Sequence, residues 1–269
     1  MSSCRLDMRD NMEYKDFALE TAKKAGKIIK ANFSLGMKKE WKDNKTPITE
    51  TDLAINKLLV ESVNREFPNH GIMAEESESE KENAEYLWVC DPVDGTLPFS
   101  HGIPICTFSL ALVKDGKSIL GVAYDPFLER IFYAEKNQGA FMNNRQIAVS
   151  QARNLQHQVI DTEFSGNAPY RYPNLAESLE KEGARALSLY SVVYSGTLVA
   201  SGELIGAMYP VNHSYDVAAI KIIVEEAGGK VTDLFGNESD YSRDIKGAII
   251  SNGYVHDYLL QKVQENLEK

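Results

Sequence analysis

The feature that most constrains this chain is an apolar strand that ends abruptly in two carboxylates. The run Tyr86–Cys90 has the length and composition of a short buried strand. Asp91 and Asp94 follow it three positions apart, with Pro92 between them and Gly95-Thr96 directly behind. Pro92 stiffens the turn, the glycine lets the backbone approach a ligand, and the N–H groups behind it can bind an anion if a helix starts there. These residues therefore favour a site that binds cations and a phosphate together.

The dipeptides Asp-Pro and Asp-Gly are also ordinary turn formers, so a solvated turn is the plain alternative. Acidic residues at other element boundaries favour the site. Glu75 follows the short apolar step Ile72–Ala74, Asp52 precedes a predicted helix, and Asp216 starts a strongly apolar one. A carboxylate at a helix start commonly caps it, with Thr51 as the N-cap before the first of these helices. The residues alone leave open whether Asp52 and Asp216 cap helices and whether Glu75 belongs to a solvated loop.

The pattern of apolar residues changes near the middle of the chain. The first half predicts two helices (13–33 and 53–67) and then the strands of an antiparallel sheet (86–90, 105–113, 118–124, 130–135, 139–142 and 146–149). After the polar connector Ser150–Leu155, strands (159–162, 186–191, 205–209 and 246–252) alternate with helices (173–182, 196–201, 216–227 and 254–267). We therefore expect a mixed α+β and α/β chain that forms one domain over residues 1–269, with halves of about 1–150 and 151–269.

Charge and cysteine content exclude several classes of function. The net charge of −10 argues against a general nucleic-acid or anionic-membrane surface, and an anionic substrate would need a local positive centre. Cys4, Cys90 and Cys106 show neither zinc spacing nor a disulfide framework, and the last two are expected in the core. The N-terminal stretch Met1–Met12 is polar, and no apolar run reaches transmembrane length, so a reducing cytoplasm is the expected location.

Three motifs, in this order along the chain, resemble those of the inositol monophosphatase family, within the wider group of lithium-sensitive, magnesium-dependent sugar and polyol phosphatases. They are Ala74–Ser77, Asp91–Thr96 and the stretch from Tyr215 to Gly229, with a weaker match at Lys42 and Thr49–Asp52. Each is unspecific alone, but the ordered set spans almost the whole chain. The resemblance implies a five-layer αβαβα sandwich with an antiparallel sheet in the first half and a mixed sheet in the second. It also implies one catalytic cleft between the halves and a homodimer.

The resemblance further implies a role for each residue that matches a family motif. Glu75, Asp91 and the Val93 carbonyl match the ligands of one ion, whereas Asp91, Asp94 and Asp216 match those of a second. A third, weaker ion in such sites touches Glu75. Asp52, Glu75 and Thr96 match the groups that orient the attacking water. The substrate-binding positions implied in the same way are Asp94, Gly95, Thr96, Gly196, Thr197, Tyr209 and Asp216.

Oxygen ligands of this kind suit Mg²⁺, with Mn²⁺ as a possible substitute, in two or three sites. Two ions roughly 3.5–4 Å apart can activate a water for in-line attack and stabilise the leaving alkoxide, so no protein nucleophile is needed. Tyr209 stands where inositol-specific members carry a glutamate that contacts a substrate hydroxyl. We therefore expect a phosphomonoesterase acting on a small polyol or sugar phosphate. Inositol monophosphate is the first candidate, and histidinol phosphate, fructose 1,6-bisphosphate and nucleotide 3′-phosphates are alternatives.

Three other classes of protein use acidic residues in related ways, and the sequence disfavours each of them. Enzymes that form an aspartyl-phosphate have one residue between two aspartates, whereas two residues separate Asp91 from Asp94, which changes the direction of the second acid on a strand. The alternating acids of an EF-hand loop are missing. A non-catalytic regulator that keeps the fold is disfavoured by the intact acidic set. The basic stretch Lys38–Pro47 is either a solvated loop or the source of a functional lysine.

Overall fold

The computed structural model describes residues 3–42, 47–77, 81, 84–163 and 168–268, with side chains from Glu13 onward. Residues 1–2 and the side chains of residues 3–12, Cys4 among them, therefore lie outside what is described; these are the side chains of the polar N-terminus expected at residues 1–12. Parts of the basic stretch (43–46) and of the polar loop expected over residues 78–85 (78–80 and 82–83) lie outside it too.

The described residues form helices and strands over most of the chain. The helices are α1 (Ser3–Asn32), α2 (Glu50–Glu66), α3 (Thr96–Ser100), α4 (Leu175–Lys181), α5 (Val192–Ala200), α6 (Ala218–Glu226) and α7 (His256–Asn266), with a 3₁₀ turn at Ser214–Asp216. The strands of the first half are β1 (Glu40–Trp41), β2 (Pro47–Ile48), β3 (Gly71–Ala74), β4 (Tyr86–Asp94), β5 (Thr107–Lys114), β6 (Lys117–Asp125), β7 (Arg130–Glu135), β8 (Ala140–Met142) and β9 (Arg145–Gln146). Those of the second half are β10 (Val159–Thr162), β11 (Arg185–Leu187), β12 (Gly206–Tyr209), β13 (Lys230–Thr232) and β14 (Ala248–Ser251).

Two large sheets divide the strands. The seven-stranded sheet has the order β3-β4-β5-β6-β7-β8-β9, in which β3 is parallel to β4 and every other pair is antiparallel. The five-stranded sheet has the order β11-β10-β12-β14-β13 and is mixed, because β10 pairs in parallel with both its neighbours whereas β14 pairs antiparallel with β12 and β13. The strands β1 and β2 form a separate two-stranded ribbon.

Three hydrophobic cores stack these elements into five layers. The first core packs α1 and α2 against one face of the seven-stranded sheet, with Trp88 and Cys90 of β4 turned toward it. The second packs α5 and α6 between the opposite face of that sheet and the five-stranded sheet. The third packs α4 and α7 on the far face of the five-stranded sheet. This order is the expected αβαβα sandwich.

The strand β4 runs further than its apolar residues indicate. The sequence predicts that it ends at Cys90, but it continues through the acidic segment to Asp94, which pairs with Thr107 of β5. The register shifts between Asp91 and Asp94, so the segment with Pro92 is an irregularity in a paired strand. The prediction of a turn after the strand is therefore wrong. This irregularity lets two carboxylates near one strand end reach the same space.

Several helix starts differ from expectation, most of all that of α1, which begins at Ser3 and not at residue 13, and two of the differences bear on the site. The N-cap of α2 is Thr49, not Thr51, and Asp52 completes a capping box with it. The helix α5 begins at Val192, four residues before the expected start at Gly196, because the Ser191 side chain accepts a hydrogen bond from the Tyr194 N–H and caps it. The second difference changes which residues face the site.

Some expectations from composition can be compared with the fold. Cys90 and Cys106 are buried and free, as predicted. No described helix combines the length and apolar character needed to cross a bilayer. All strands of the seven-stranded sheet precede residue 150 and all strands of the five-stranded sheet follow it. The assignment of one domain with these two halves stays a prediction.

The buried His256 gives the five-stranded sheet a pH-dependent contact. Its Nε2 lies 2.9 Å from Thr232 Oγ1 and its Nδ1 lies 2.8 Å from Ser251 Oγ, and burial lowers its pKa to about 4. Because the unfolded state protonates first, the stabilisation by neutral His256 is complete above about pH 6.5 and is lost as the pH falls toward 4. We expect the Tm advantage of the wild type over His256→Gln to narrow between about pH 7 and about pH 4.5. A constant difference across this range, measured by calorimetry, would contradict the account.

Candidate active site

A cavity of about 530 Å³ opens where β3, β4, the start of α3 and the 3₁₀ turn before α6 meet. Seven of the residues that the sequence singles out line it. They are Glu75, Asp91, Val93, Asp94, Gly95, Thr96 and Asp216. Residues from about 140 positions of chain therefore contribute oxygen atoms to a single space, which is the arrangement on which the sequence interpretation depended.

Glu75 and Asp91 lie side by side because β3 and β4 are parallel. Ala74 pairs with Cys90, and the Glu75 N–H donates to the Cys90 carbonyl at 3.2 Å, so the next residue of each strand emerges at the same edge. Asp91 is 3% exposed, and its Oδ1 accepts a hydrogen bond from the Val93 N–H at 3.0 Å. The expectation that these two acids lie on neighbouring strands is confirmed, but Asp91 lies within β4 and not at its end.

Asp94 is held by the N-terminal turn of α5. Its Oδ1 accepts from the Val192 N–H at 2.9 Å, and its Oδ2 accepts from the Ser191 hydroxyl and from Thr107 Oγ1 at 2.9 Å. The Tyr194 N–H approaches the same Oδ2 at 3.3 Å. A carboxylate at a helix N-terminus is favoured by the unpaired N–H groups and the helix dipole. This carboxylate is consequently fixed in position although it is buried.

Asp216 ends the 3₁₀ turn and lines the cavity. The N-cap of α6 is Val217, and no side chain makes a capping hydrogen bond there. Capping, the alternative considered for Asp216, is therefore wrong. Burial raises the pKa of Asp216 well above its usual range, and the charges of Glu75, Asp94 and Glu163 raise it further.

The groups expected to orient water and bind phosphate lie at the start of α3. Thr96 Oγ1 donates to the Val93 carbonyl at 2.8 Å and lies 3.5 Å from Asp52 Oδ1. Asp52 is fully buried and does not itself line the cavity; its Oδ2 accepts from the Thr49 N–H at 2.8 Å and so also closes the capping box. Gly95 has φ +85°, and a Cβ there would lie 2.8 Å from the Ile105 carbonyl, so only glycine fits.

The acids raise one another's pKa values. Burial raises the pKa of Asp91 well above its usual range, with further contributions from Glu75, Asp94 and Asp216. Burial also raises the pKa of Asp94 to about 6, although hydrogen bonds from Ser191 and Thr107 oppose it. Lys42 contacts Glu75 at 2.9 Å and also bonds Glu76. Across the described ranges, no group of three or more Asp, Glu, His or Cys side chains is arranged to hold a metal ion as the side chains stand. Glu75 bonds Lys42, and Asp94 bonds the start of α5.

Comparison with known proteins identifies the family. The model of the inositol monophosphatase family matches residues 10–268, which is nearly the whole chain. The chain belongs to the inositol monophosphatase family. Its members are phosphoric monoester hydrolases that act on small phosphorylated substrates and are generally metal-dependent. The recognition of the family from its motifs, and of the chain as a phosphatase, is therefore confirmed.

Individual relatives carry different substrate names. A Thermotoga maritima fructose-1,6-bisphosphatase/inositol-1-monophosphatase is 34% identical over 263 residues, covering 96% of this chain and 98% of its own length. A Chlorobaculum parvum histidinol-phosphatase is 34% identical over 226 residues, covering 82% and 86%. The solved structure of a Thermotoga maritima IMPase superposes with a TM-score of 0.85 at 34% identity, covering 94% of this chain and 97% of that one. Similarity alone thus leaves the choice among family substrates open.

The structure contradicts the placement of Gly196 and Thr197 beside the substrate of this phosphatase. Gly196 lies in the second turn of α5 and faces α6, where a Cβ would stand 2.2 Å from Ile220 Cγ2. Thr197 is 1% exposed and its hydroxyl donates to the Tyr194 carbonyl at 2.7 Å. Because α5 begins four residues earlier than expected, the residues that reach the cavity from this region are Tyr190 and Val192.

The prediction that Tyr209 contacts the substrate directly is wrong as well. It is fully buried at the end of β12, and its hydroxyl donates to Asp161 Oδ2 at 2.5 Å. The following residue, Pro210, lines the cavity in its place. The departure from the inositol-specific pattern at this position therefore removes an acid from the site without supplying another polar contact.

Two cavity residues were missed from the sequence. Glu163 follows β10 directly, the same signal that pointed to Glu75, and burial together with the charges of Asp161 and Asp94 raises its pKa to about 7. Tyr190 has φ +54° and is 38% exposed, so it presents an aromatic ring at the rim from a left-handed backbone that non-glycine residues rarely adopt. No sequence pattern signals that conformation.

The corrected role of Gly196 can be tested by Gly196→Ala. The added methyl group meets Ile220 in the contact between α5 and α6, so we expect the free energy of unfolding to fall by about 1–3 kcal/mol. The KM of the folded fraction should stay unchanged because the residue does not face the cavity. A raised KM without loss of stability, measured by denaturant titration and steady-state kinetics, would restore the substrate-side assignment.

The crowded carboxylates predict that stabilisation by Mg²⁺ depends on pH. The pKa values of Asp52 and Asp94 are each raised to about 6, so the metal-free fold is most stable when they are protonated and loses that stability as the pH rises through 6. Bound Mg²⁺ would offset the cost of these buried negative charges. We expect the increase in Tm on adding Mg²⁺ to be larger at about pH 8 than at about pH 5.5. An equal increase at both values, measured by differential scanning fluorimetry, would contradict this explanation.

Proposed function

We propose that this chain is a Mg²⁺-dependent phosphomonoesterase that hydrolyses a small polyol or sugar phosphate. The observation that carries the proposal is the convergence of Glu75, Asp91, Asp94 and Asp216 on one cavity beside the N-terminus of α3. Carboxylates that crowd together in a buried place repel one another unless cations neutralise them. An anion-binding helix start beside the same acids supports a phosphate as the second ligand.

The donor set fits a hard divalent cation. Every candidate ligand is an oxygen atom, and Mg²⁺ prefers carboxylate, carbonyl and water oxygens. Within the described residues, the salt bridges of the four carboxylates are limited to that between Glu75 and Lys42. Glu75, Asp91, Asp94, Asp216 and the Val93 carbonyl would hold two or three ions, and Mn²⁺ would be able to replace Mg²⁺. Bound divalent ions would supply the missing positive charge, polarise the phosphate and lower the pKa of a water.

The remaining groups bind and orient the reactants. Gly95 and Thr96 line the cavity, and their N–H groups would donate to phosphate oxygens. The Thr96 hydroxyl donates to the Val93 carbonyl at 2.8 Å, with Asp52 Oδ1 3.5 Å away, so the Thr96 oxygen keeps lone pairs that would accept a hydrogen bond from the attacking water. Glu75 would hold the same water from the opposite side. Direct attack by water needs no nucleophilic side chain, which agrees with the burial of Cys90 and Cys106.

The outer part of the cavity is where the alcohol part of the substrate would bind. Its walls include Glu163, Tyr190, Val192 and Val211. Asn212 and His213 line the cavity as well, so polar side chains are available to bind hydroxyl or amino groups of the alcohol. Inositol monophosphate remains the first candidate. Histidinol phosphate is supported by the 34% identical relative with that name and by the loss of the inositol-specific acid, and fructose 1,6-bisphosphate by the bifunctional relative.

The resemblance to the family adds further properties to the proposed function. We expect a homodimer, sensitivity of the activity to lithium and a cytoplasmic location, with neither a nucleic acid nor a membrane as partner. The net charge of −10 supports the last two exclusions, because a nucleic-acid or anionic-lipid surface would require a basic face. A regulatory role without catalysis would not require the four acids to be kept at one cavity.

The proposal is tested by phosphate release in the presence and absence of Mg²⁺. We expect hydrolysis of at least one of inositol 1-phosphate, histidinol phosphate, fructose 1,6-bisphosphate or 3′-phosphoadenosine phosphates, and its loss on chelation. Asp91→Asn should lower kcat/KM more than about 100-fold, since even outer-shell partners of a metal cost about 10–100-fold.

Asp233→Asn provides the matched control. Asp233 is also a buried carboxylate, but it closes a turn by accepting from the Phe235 and Asn237 N–H groups and does not line the cavity. This variant should keep its Mg²⁺-dependent activity. Absence of hydrolysis of all four substrates by the wild type, or full activity of Asp91→Asn, would contradict the proposed function.

A further inference from the structure

The hydroxyl of Tyr209 is enclosed in a buried polar network that no substrate can reach. The residue has no exposed surface. Its hydroxyl donates to Asp161 Oδ2 at 2.5 Å and lies 3.1 Å from the Ser191 carbonyl and 3.0 Å from Ser195 Oγ. Any buried hydroxyl needs hydrogen-bond partners, but one of the partners here, Ser191, also bonds Asp94 in the cavity.

Asp161 is the anchor of this network. Its Oδ1 accepts from the Leu189 N–H at 3.2 Å, and its Oδ2 accepts from the Ser195 hydroxyl in addition to Tyr209. It therefore joins β10 to the loop before α5, to α5 itself and to the end of β12. A buried carboxylate of this kind keeps its place only while its hydrogen bonds are complete.

The contact with the Ser191 carbonyl leads directly to the active site. Ser191 donates its hydroxyl to Asp94, and the next residue, Val192, donates its N–H to the same carboxylate at 2.9 Å. Tyr209 thus contacts the carbonyl of Ser191, whose hydroxyl bonds Asp94. The path from the tyrosine hydroxyl to the carboxylate consists of a single residue and two sets of hydrogen bonds.

We propose that Tyr209 is a positioning residue that fixes the Asp94 carboxylate through Ser191. The inference rests on the proposed function, in which Asp94 holds a divalent cation. Inositol-specific members carry a glutamate here that contacts the substrate. This chain carries Tyr209 instead, which supports the proposed metal ligand Asp94 through Ser191. Partners in the outer shell of a metal typically change its affinity by about 10–100-fold.

The test is the binding of Mg²⁺ to wild type and Tyr209→Phe by isothermal titration calorimetry, together with the dependence of phosphate release on Mg²⁺. We expect the variant to bind Mg²⁺ about tenfold more weakly and to need more Mg²⁺ for half-maximal rate, with most of kcat regained at saturating Mg²⁺. KM for the phosphate ester should change less than the Mg²⁺ requirement. Asp161→Asn, which weakens the anchor, should shift Mg²⁺ binding in the same direction and serves if Tyr209→Phe does not fold.

Tyr241→Phe is the matched control. Tyr241 is buried in the same hydrophobic core, and its hydroxyl bonds Ser239 away from the cavity. This variant should keep the Mg²⁺ affinity of the wild type even if its Tm falls. Unchanged Mg²⁺ affinity in Tyr209→Phe or Asp161→Asn, or an equal loss in Tyr241→Phe, overturns the inference while leaving the proposed function in place. A wild type that binds no Mg²⁺ overturns both.

Discussion

The repulsion among carboxylates gathered from distant parts of the chain is the constraint around which the site is built. Glu75 and Asp91 are brought together by the parallel pairing of β3 and β4, and Asp216 is delivered by the turn that precedes α6. Burial, together with the charges of Glu75 and Asp94, raises the pKa values of Asp91 and Asp216 well above their usual range. Crowding these carboxylates costs free energy in the metal-free protein, so binding of cations should stabilise it. The packed layers of the fold hold the acids in place.

The N-terminus of α5 is the second element on which the site depends. It gives Asp94 hydrogen bonds from Ser191 and Val192, so that this acid is stabilised by the protein itself whereas Asp91 and Asp216 are not to the same degree. The same turn places Tyr190 and Val192 at the rim of the cavity. One helix start thus lies next to both the proposed metal ligands and the surface proposed to meet the substrate alcohol. The proposed support from Tyr209 would couple the interior of the five-stranded sheet to the site.

The sequence predicted the fold class and most of the acidic positions because both depend on local patterns. Alternating apolar residues located the strands, and carboxylates directly after them located Glu75 and Asp91. The errors arose where a tertiary contact overrode the pattern. Gly196 resembled a site glycine, but Ser191 caps α5 earlier and turns that glycine toward Ile220. The burial of Tyr209 depends on Asp161, 48 positions away, and no local pattern reveals such a pairing.

The account is tested most directly by diffraction from crystals grown with Mn²⁺ and phosphate, recorded so that the anomalous signal locates manganese. It predicts at least two manganese peaks in the cavity, with carboxylate oxygens of Asp91 within about 2–2.5 Å of both and those of Asp94 and Asp216 within the same distance of one. Well-ordered crystals without manganese beside Asp91, or with manganese bound only at other acids of the surface, would contradict the claim that these carboxylates converge to hold divalent ions.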